Sequence, residues 1–286
     1  MRTSKQFAAM TSPRSSSTLE VSDGVTIAFQ CFGTPRAGVP PIALVHSLAM
    51  DHRFWTPVIG YLVDHTEIIT LDARGHGASG SGSKPFTAQR MADDLNEVLA
   101  HLQRPKAVVG GASMGGCIAL QFAIDHPTRT AGLALIDTTA WYGSSAPQDW
   151  EDRATKARTQ GLASLVAFQQ TRWFSDGFRL QNPQLVQTCI DIFLENDIDS
   201  YVASCRMLGA FDARQHLSQI KVPTRVLVGE EDYAAPVHMA LAMHEEIDDS
   251  RMEIIDGARH LTPLEEPETV ATLLLKLCQE AAHDTV

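Results

Sequence analysis

The sequence predicts an α/β fold, a mostly parallel, doubly wound sheet with an inserted helical cap. Three observations predict it. Short apolar runs alternate with helical patterns through the first half of the chain, the signature of a parallel sheet with helices on both faces. The alternation stops between about Trp141 and Phe211, where only helical patterns occur. It resumes at Val222-Pro223 and continues into a last amphipathic helix.

Taken in order, residues 19–32 hold two short strands, with Asp23-Gly24 as the hairpin turn between them. After Pro40-Pro41, residues 42–46 form a continuous apolar run suited to a strand buried on both faces. The loop 46–51 leads into a helix carrying Phe54, Trp55, Val58, Ile59 and Leu62, and residues 67–72 form the next strand. A glycine-rich turn follows at 73–80. Thr87 is placed to cap a helix whose apolar face is Met91, Leu95, Val98, Leu99 and Leu102. The run 106–109 is a strand and 117–123 a helix that ends before Pro127; 132–137 is another strand. Within the helical block the clearest helices are 160–174, 183–194 and 197–208, and the block holds Trp150 and Trp173 among many aromatics. Residues 224–229 and 251–256 are strands that flank a helix at 236–247, and Val270, Leu273, Leu274, Leu277 and Cys278 share one face of the final helix. The chain therefore divides into a disordered tail at 1–17, a core at 18–140, a cap at 141–213 and the rest of the core at 214–286.

The chain has 286 residues, 44% hydrophobic and 20% charged, which is ordinary for a globular protein with a large core. A formal net charge of -11 argues against nucleic acid or an anionic membrane as partner and leaves a small molecule as the expected one. Five dispersed cysteines show neither a C-x-x-C pair nor metal-ligand spacing, so no metal is expected and packing in a reducing compartment is. The first seventeen residues lack the apolar stretch of a secretory signal. No run approaches the roughly 18 residues needed to span a bilayer, and a cytoplasmic location is expected.

The chemistry gathers at Gly111-x-Ser113-x-Gly115. An apolar strand precedes it and a helix follows, the setting of a nucleophile elbow. Such a turn lifts the serine hydroxyl clear of the sheet edge, and glycines are needed where strand and helix backbones almost touch. The N-terminus of the following helix directs N–H groups at charge forming beside the serine. Ligands of doubly wound sheets sit beyond the carboxyl ends of the strands, where Ser113, Asp232 and His260 all fall. A neutral hydroxyl needs a base, here His260, and the base needs a carboxylate to fix its tautomer, here Asp232. Glu230 and Glu231 are competing acids; Asp232 lies deeper in the loop, and Glu231 stays an alternative. The backbone N–H of Met114 is one expected oxyanion donor, and that of Leu48 the other. His46 and His76 are expected to support these loops through hydrogen bonds.

The layout after Leu19 resembles the α/β-hydrolase fold, and more narrowly the 3-oxoadipate enol-lactonases and related ester hydrolases. The matching pieces are residues 46–51, 72–79 and 111–116, with Trp150-Glu151-Asp152-Arg153, Arg172-Trp173-Phe174, Tyr201 and Phe211-Asp212 in the cap. The resemblance implies a cofactor-free serine esterase or lactonase acting on a small ester or lactone, with Trp150 or Trp173 near the substrate. The sequence departs from those lactonases at His46-Ser47-Leu48-Ala49, at Ala235-Pro236 and at Gly110-Gly111, which bears on which lactone is cleaved. A carbon–carbon bond hydrolase of aromatic degradation and a perhydrolase use the same triad. From another class, a small-molecule receptor on a hydrolase scaffold fits the same layout. Arg153, Arg172 and Arg206 could pair with a substrate carboxylate, but surface or structural salt bridges are the better expectation for each.

Overall fold

Eight strands form one sheet in the spatial order β1-β2-β4-β3-β5-β6-β7-β8, in a computed structural model that describes residues 12–283. The strands are β1 (Ser15–Glu20), β2 (Thr26–Phe32), β3 (Ile42–Val45), β4 (Ile68–Leu71), β5 (Ala107–Ala112), β6 (Thr130–Ile136), β7 (Thr224–Gly229) and β8 (Ser250–Ile255). All pairings from β4 to β8 are parallel, and only β1–β2 and β2–β4 are antiparallel. Strands β3, β4 and β5 are buried along their whole length, as their unbroken apolar runs require.

The core helices are α1 (Thr56–Leu62), α2 (Ala88–His101), α3 (Met114–Asp125), α9 (Val237–Glu246), α10 (Thr262–Glu265) and α11 (Pro267–His283). The Thr87 hydroxyl accepts from the Arg90 N–H and caps α2, as its sequence predicts. Helices α3 and α11 both pack on β5 and β6, while α3 also packs on α2 and α11 on α1. The sheet is thus covered on both faces. Among the described residues no helix is long and apolar enough to cross a membrane.

Two expectations need correction. Residues 15–17, which their serine content assigns to the tail, pair with β2 in the register Ser15↔Cys31 to Ser17↔Phe29. An exposed edge strand is held by backbone hydrogen bonds and needs no apolar alternation, so its composition hides it. Residues 1–11 of that tail lie outside the described residues. In the cap, the helix α4 (Ala146–Gln160) was not among the expected ones. Its buried face is made of Ala146, Ala154 and Ala157, a face too small to register as an apolar stripe. It packs closely on α8 (Ile198–Ala210). The expected helix at 160–174 is instead a 3₁₀ turn, Leu162–Leu165, followed by α5 (Val166–Trp173). Helices α6 (Asp176–Gln181) and α7 (Pro183–Glu195) complete the cap.

Candidate active site

Strand β5 delivers the chain to Ser113, whose φ of 54° and ψ of -117° are rare for a residue with a side chain. Such a conformation costs roughly 1–3 kcal/mol and persists only where its surroundings enforce it. Here the Ser113 N–H donates to the Ile136 carbonyl at 2.9 Å, and the Ser113 carbonyl accepts from the Thr138 hydroxyl at 2.7 Å. A Cβ on Gly111 would overlap the Gly115 carbonyl, and one on Gly115 would overlap the Val45 carbonyl. Both glycines of the elbow are therefore steric requirements.

His260, on the loop after β8, places Nε2 2.8 Å from the Ser113 Oγ. Its Nδ1 lies 2.8 Å from Asp232 Oδ2, and Asp232 Oδ1 accepts from the Ala234 and Ala235 N–H groups at 2.7 and 2.9 Å. An ionised carboxylate only accepts, so this geometry sets the proton on Nδ1 and leaves Nε2 to accept from the serine hydroxyl. All three side chains are buried. The alternative acids are engaged elsewhere: Glu231 pairs with Arg259, and Glu230 accepts from the Gly257 N–H. The structure therefore brings Asp232, and not its neighbours, behind His260.

Met114 is the first residue of α3, where an N–H has no acceptor within the helix. Leu48 lines the same small cavity as Ser113 and His260. The loop carrying Leu48 is set by His46, whose Nε2 faces the Ala73 N–H at 2.9 Å and whose Nδ1 faces the Ser47 carbonyl at 2.8 Å. An acceptor at Nε2 and a donor at Nδ1 define the neutral ring, and burial depresses its pKa. The His76 ring lies tilted against that of His46, with centres 5.2 Å apart, and its Nδ1 meets the Arg74 carbonyl. Burial first, and the adjacent His46 second, lower the pKa of His76 to about 3.

The cavity at Ser113 measures about 50 Å³ and is walled by Tyr142, Trp150, Trp173 and Gln169 from the cap side. That is little more than one water's share of liquid volume, about 30 Å³. It shares Tyr142, Trp150, Arg153 and Arg172 with a more open hollow of about 470 Å³. Both expected tryptophans thus border the cavity.

Some site-bordering residues were not expected. Asp137, just past the end of β6, is fully buried and holds Gly229 and Thr262, which bound the two loops that carry Asp232 and His260. Its position at a strand's carboxyl end was the available signal. Asp51, His52 and Asp72 bring ligand atoms within 4.8 Å of one another. Asp51 is committed to Arg53, and Asp72 to the N–H groups of His52 and Ala78, so the group is a hydrogen-bond network.

A parallel sheet with an interposed helical cap and a serine elbow defines a class. Residues 40–267 match the model of the alpha/beta hydrolase fold family, and the chain belongs to that family. It is 33% identical over 245 residues to 3-oxoadipate enol-lactonase 1 of Acinetobacter baylyi, covering 86% of this chain and 90% of that protein. It is 31% identical over 251 residues to 3-oxoadipate enol-lactonase 2 of the same organism, covering 88% and 92%. The crystal structure of the enol-lactonase from Burkholderia xenovorans LB400 superposes with a TM-score of 0.87 at 28% identity, over 92% of this chain and all of that one. Resemblance to the enol-lactonases is thus borne out, and the chain is a hydrolase by family.

Proposed function

We propose that the chain is a serine hydrolase of small carboxylic esters or lactones, working through an acyl-enzyme on Ser113. The observation that carries this reading is the continuous Ser113–His260–Asp232 hydrogen-bond chain, with both links at 2.8 Å. Ser113 Oγ attacks the scissile carbonyl carbon as His260 Nε2 takes its proton. The oxyanion accepts from the N–H groups of Leu48 and Met114, and Asp232 stabilises the imidazolium. Collapse breaks the bond to the leaving oxygen, which recovers the proton from Nε2. Water, activated by the same ring, then releases the acid. In a lactone the leaving oxygen stays tethered, so one product forms. Trp150 and Trp173 form the apolar wall over the acyl group. The enol-lactonase relatives support the lactone alternative within this reading. All five cysteines are free and buried, which suits the cytoplasm.

The test is labelling with a fluorophosphonate and turnover of short p-nitrophenyl esters. Labelling maps to Ser113 and is lost in Ser113→Ala, whose residual rate falls to about 10³–10⁴ over water or lower. A wild-type protein that is never labelled, yet binds a small ligand tightly, would instead be a receptor.

A further inference from the structure

We propose that the Tyr142 hydroxyl is a further catalytic group, which donates a hydrogen bond to Ser113 Oγ and so speeds release of the acid from the acyl-enzyme. The proposal rests on the reading of Ser113 as nucleophile. Tyr142 lies between β6 and α4 and walls the small cavity at Ser113. Two side chains reach its hydroxyl, those of Cys117 and Ser113. Cys117 Sγ is 3.9 Å from the hydroxyl oxygen, and Cys117 stands one turn along α3 from Ser113, its N–H donating to the Ser113 carbonyl at 3.1 Å. A thiol sulfur is a weak acceptor. Ser113 Oγ, which gives its own proton to His260, keeps two lone pairs. The phenol proton therefore goes to Oγ.

The segment that carries Tyr142 is fixed. The Trp141 N–H donates to the Thr139 hydroxyl at 3.0 Å, and Trp141 pairs as an isolated antiparallel bridge with Asp212 at the other root of the cap. The Arg214 guanidinium lies 3.6 Å from the centre of the Trp141 ring. The Tyr142 ring meets that of Trp150 edge to face, with centres 5.3 Å apart. Burial first, and then the Cys117 thiol, raise the pKa of Tyr142 well above its ordinary value, against a hydrogen bond with Ser113 that lowers it. The phenol is neutral and keeps its proton throughout the reaction.

Position decides the step that this donor serves. In the sheet β3 and β6 flank β5 on opposite sides, so Tyr142 approaches the nucleophile from the side away from Leu48. It acts on Oγ and not on the oxyanion. While Oγ is bound in an ester it is a poor acceptor. Once water has added to the acyl carbon, the C–Oγ bond breaks, the electron pair stays on Oγ, and Oγ takes the proton from His260 Nε2. Oγ becomes a better acceptor as this happens, and the hydrogen bond from Tyr142 strengthens with it. In acylation the change runs the other way: the hydrogen bond weakens as Oγ attacks, so it gives no help there.

The test separates the two half-reactions in Tyr142→Phe, which keeps the ring and removes the hydroxyl. Intact-mass measurement of acid-quenched protein during turnover of p-nitrophenyl acetate gives the lifetime of the acetyl group on Ser113. Fluorophosphonate labelling reports the attack step alone. Loss of the hydroxyl slows deacetylation by ~3- to 10-fold, the scale of one neutral hydrogen bond, while labelling is as fast as in the wild type or faster. For this activated ester, whose turnover is set by deacetylation, kcat falls by the same factor and kcat/KM does not. Replacement of Tyr142 by 3-fluorotyrosine, a stronger donor of nearly the same shape, moves deacetylation the opposite way and guards against a folding fault in the phenylalanine variant. Deacetylation unchanged in both proteins overturns the proposal. So does slowing of labelling and deacetylation by one factor, which would mean that Tyr142 only shapes the cavity wall or serves the oxyanion. If the wild type is neither labelled nor acetylated at Ser113, it is the nucleophile reading that fails, and the proposal falls with it.

Discussion

Asp137 and Thr262 are joined twice, the carboxyl oxygen Oδ2 accepting from the Thr262 N–H at 2.9 Å and meeting its hydroxyl at 2.7 Å. The other oxygen accepts from the Gly229 N–H at 3.2 Å. Gly229 closes β7, three residues before Asp232, and Thr262 follows His260 by two. One carboxyl at the end of β6 therefore ties together the loops that carry the acid and the base.

That carboxyl is costly to ionise. Burial first, and the nearby Asp232 charge second, raise the Asp137 pKa well above the ordinary carboxylate value. A raised carboxyl takes up a proton on folding once the pH exceeds its unfolded value, about 3.9, so its contribution to stability fades as pH rises toward the folded pKa. Asp137→Asn removes the titration and keeps an oxygen for Thr262. Urea melts at pH 5 and pH 8 should show wild type losing stability relative to the variant at the higher pH. A difference that does not change with pH would mean the native carboxyl is ionised throughout.

The elbow glycines allow a second prediction. In Gly115→Ala the new methyl meets the Val45 carbonyl, which is backbone of a fully buried strand and has nowhere to move. We expect a loss of about 3 kcal/mol or more, at the severe end for single substitutions. Ester turnover should fall at least ~100-fold, the scale of losing one oxyanion donor. Gly177→Ala is the control: nothing lies within 4 Å of its Cβ, and it sits within a helix. There alanine should be neutral or add roughly 0.5–1 kcal/mol. Thermal melts and p-nitrophenyl acetate assays separate the two cases, and equal behaviour would refute the steric argument.

His46 and His76 make the fold sensitive to acid. Both are held neutral by burial, with His76 depressed to about 3. A base with a depressed folded pKa contributes fully above its unfolded value, about 6.5, and loses that contribution as pH falls toward the folded one. The expected slope over this window is about 1.4 kcal/mol per pH unit for each histidine. His76→Asn, whose amide can replace Nδ1 at the Arg74 carbonyl, should flatten the slope by one histidine's share. Denaturant midpoints between pH 7.5 and pH 4.5 measure it, and an unchanged slope would place the acid sensitivity elsewhere.

The sheet was legible because its strands are buried on both faces and therefore show as unbroken apolar runs, as in β3 and β5. Ser113, Asp232 and His260 were legible for a related reason: strand ends can be read from sequence, and the fold brings strand ends to one rim. The cap was less so. Helix α4 packs through alanines, and a small-residue face leaves no hydrophobic period to detect. The arginines show the remaining limit. Sequence gave Arg153, Arg172 and Arg206 equal standing, and only folding reveals that Glu151 neutralises the third. Asp137 is not legible because its role is to hold two backbone segments that are more than 90 residues away along the chain.

The loop of His260 is stitched to the cap, and this yields the last prediction. The Leu261 N–H donates to the Trp173 carbonyl at 3.0 Å. Arg259 Nη1 reaches the carbonyls of Thr171 and Phe174 at 2.9 and 3.0 Å and Asp176 Oδ1 at 2.9 Å, while Nε holds Glu231. Glu265 closes the other side, accepting from the Ser175 hydroxyl and from the Arg259 N–H. The end of α5 that carries Arg172 and Trp173 is therefore tied to the loop of the base. Arg259→Met removes the guanidinium and leaves the part-buried Phe174 carbonyl short of a donor, a loss of about 1–2 kcal/mol, while water can replace the donor at the exposed Thr171 carbonyl. Asp176 is largely exposed, so its lost ion pair adds little. Hydrogen exchange should then quicken together in residues 171–176 and 259–262, and kcat on simple esters should fall while Ser113 remains labelled by fluorophosphonate. Faster exchange in the cap segment alone, with 259–262 unchanged, would show that cap and base move independently.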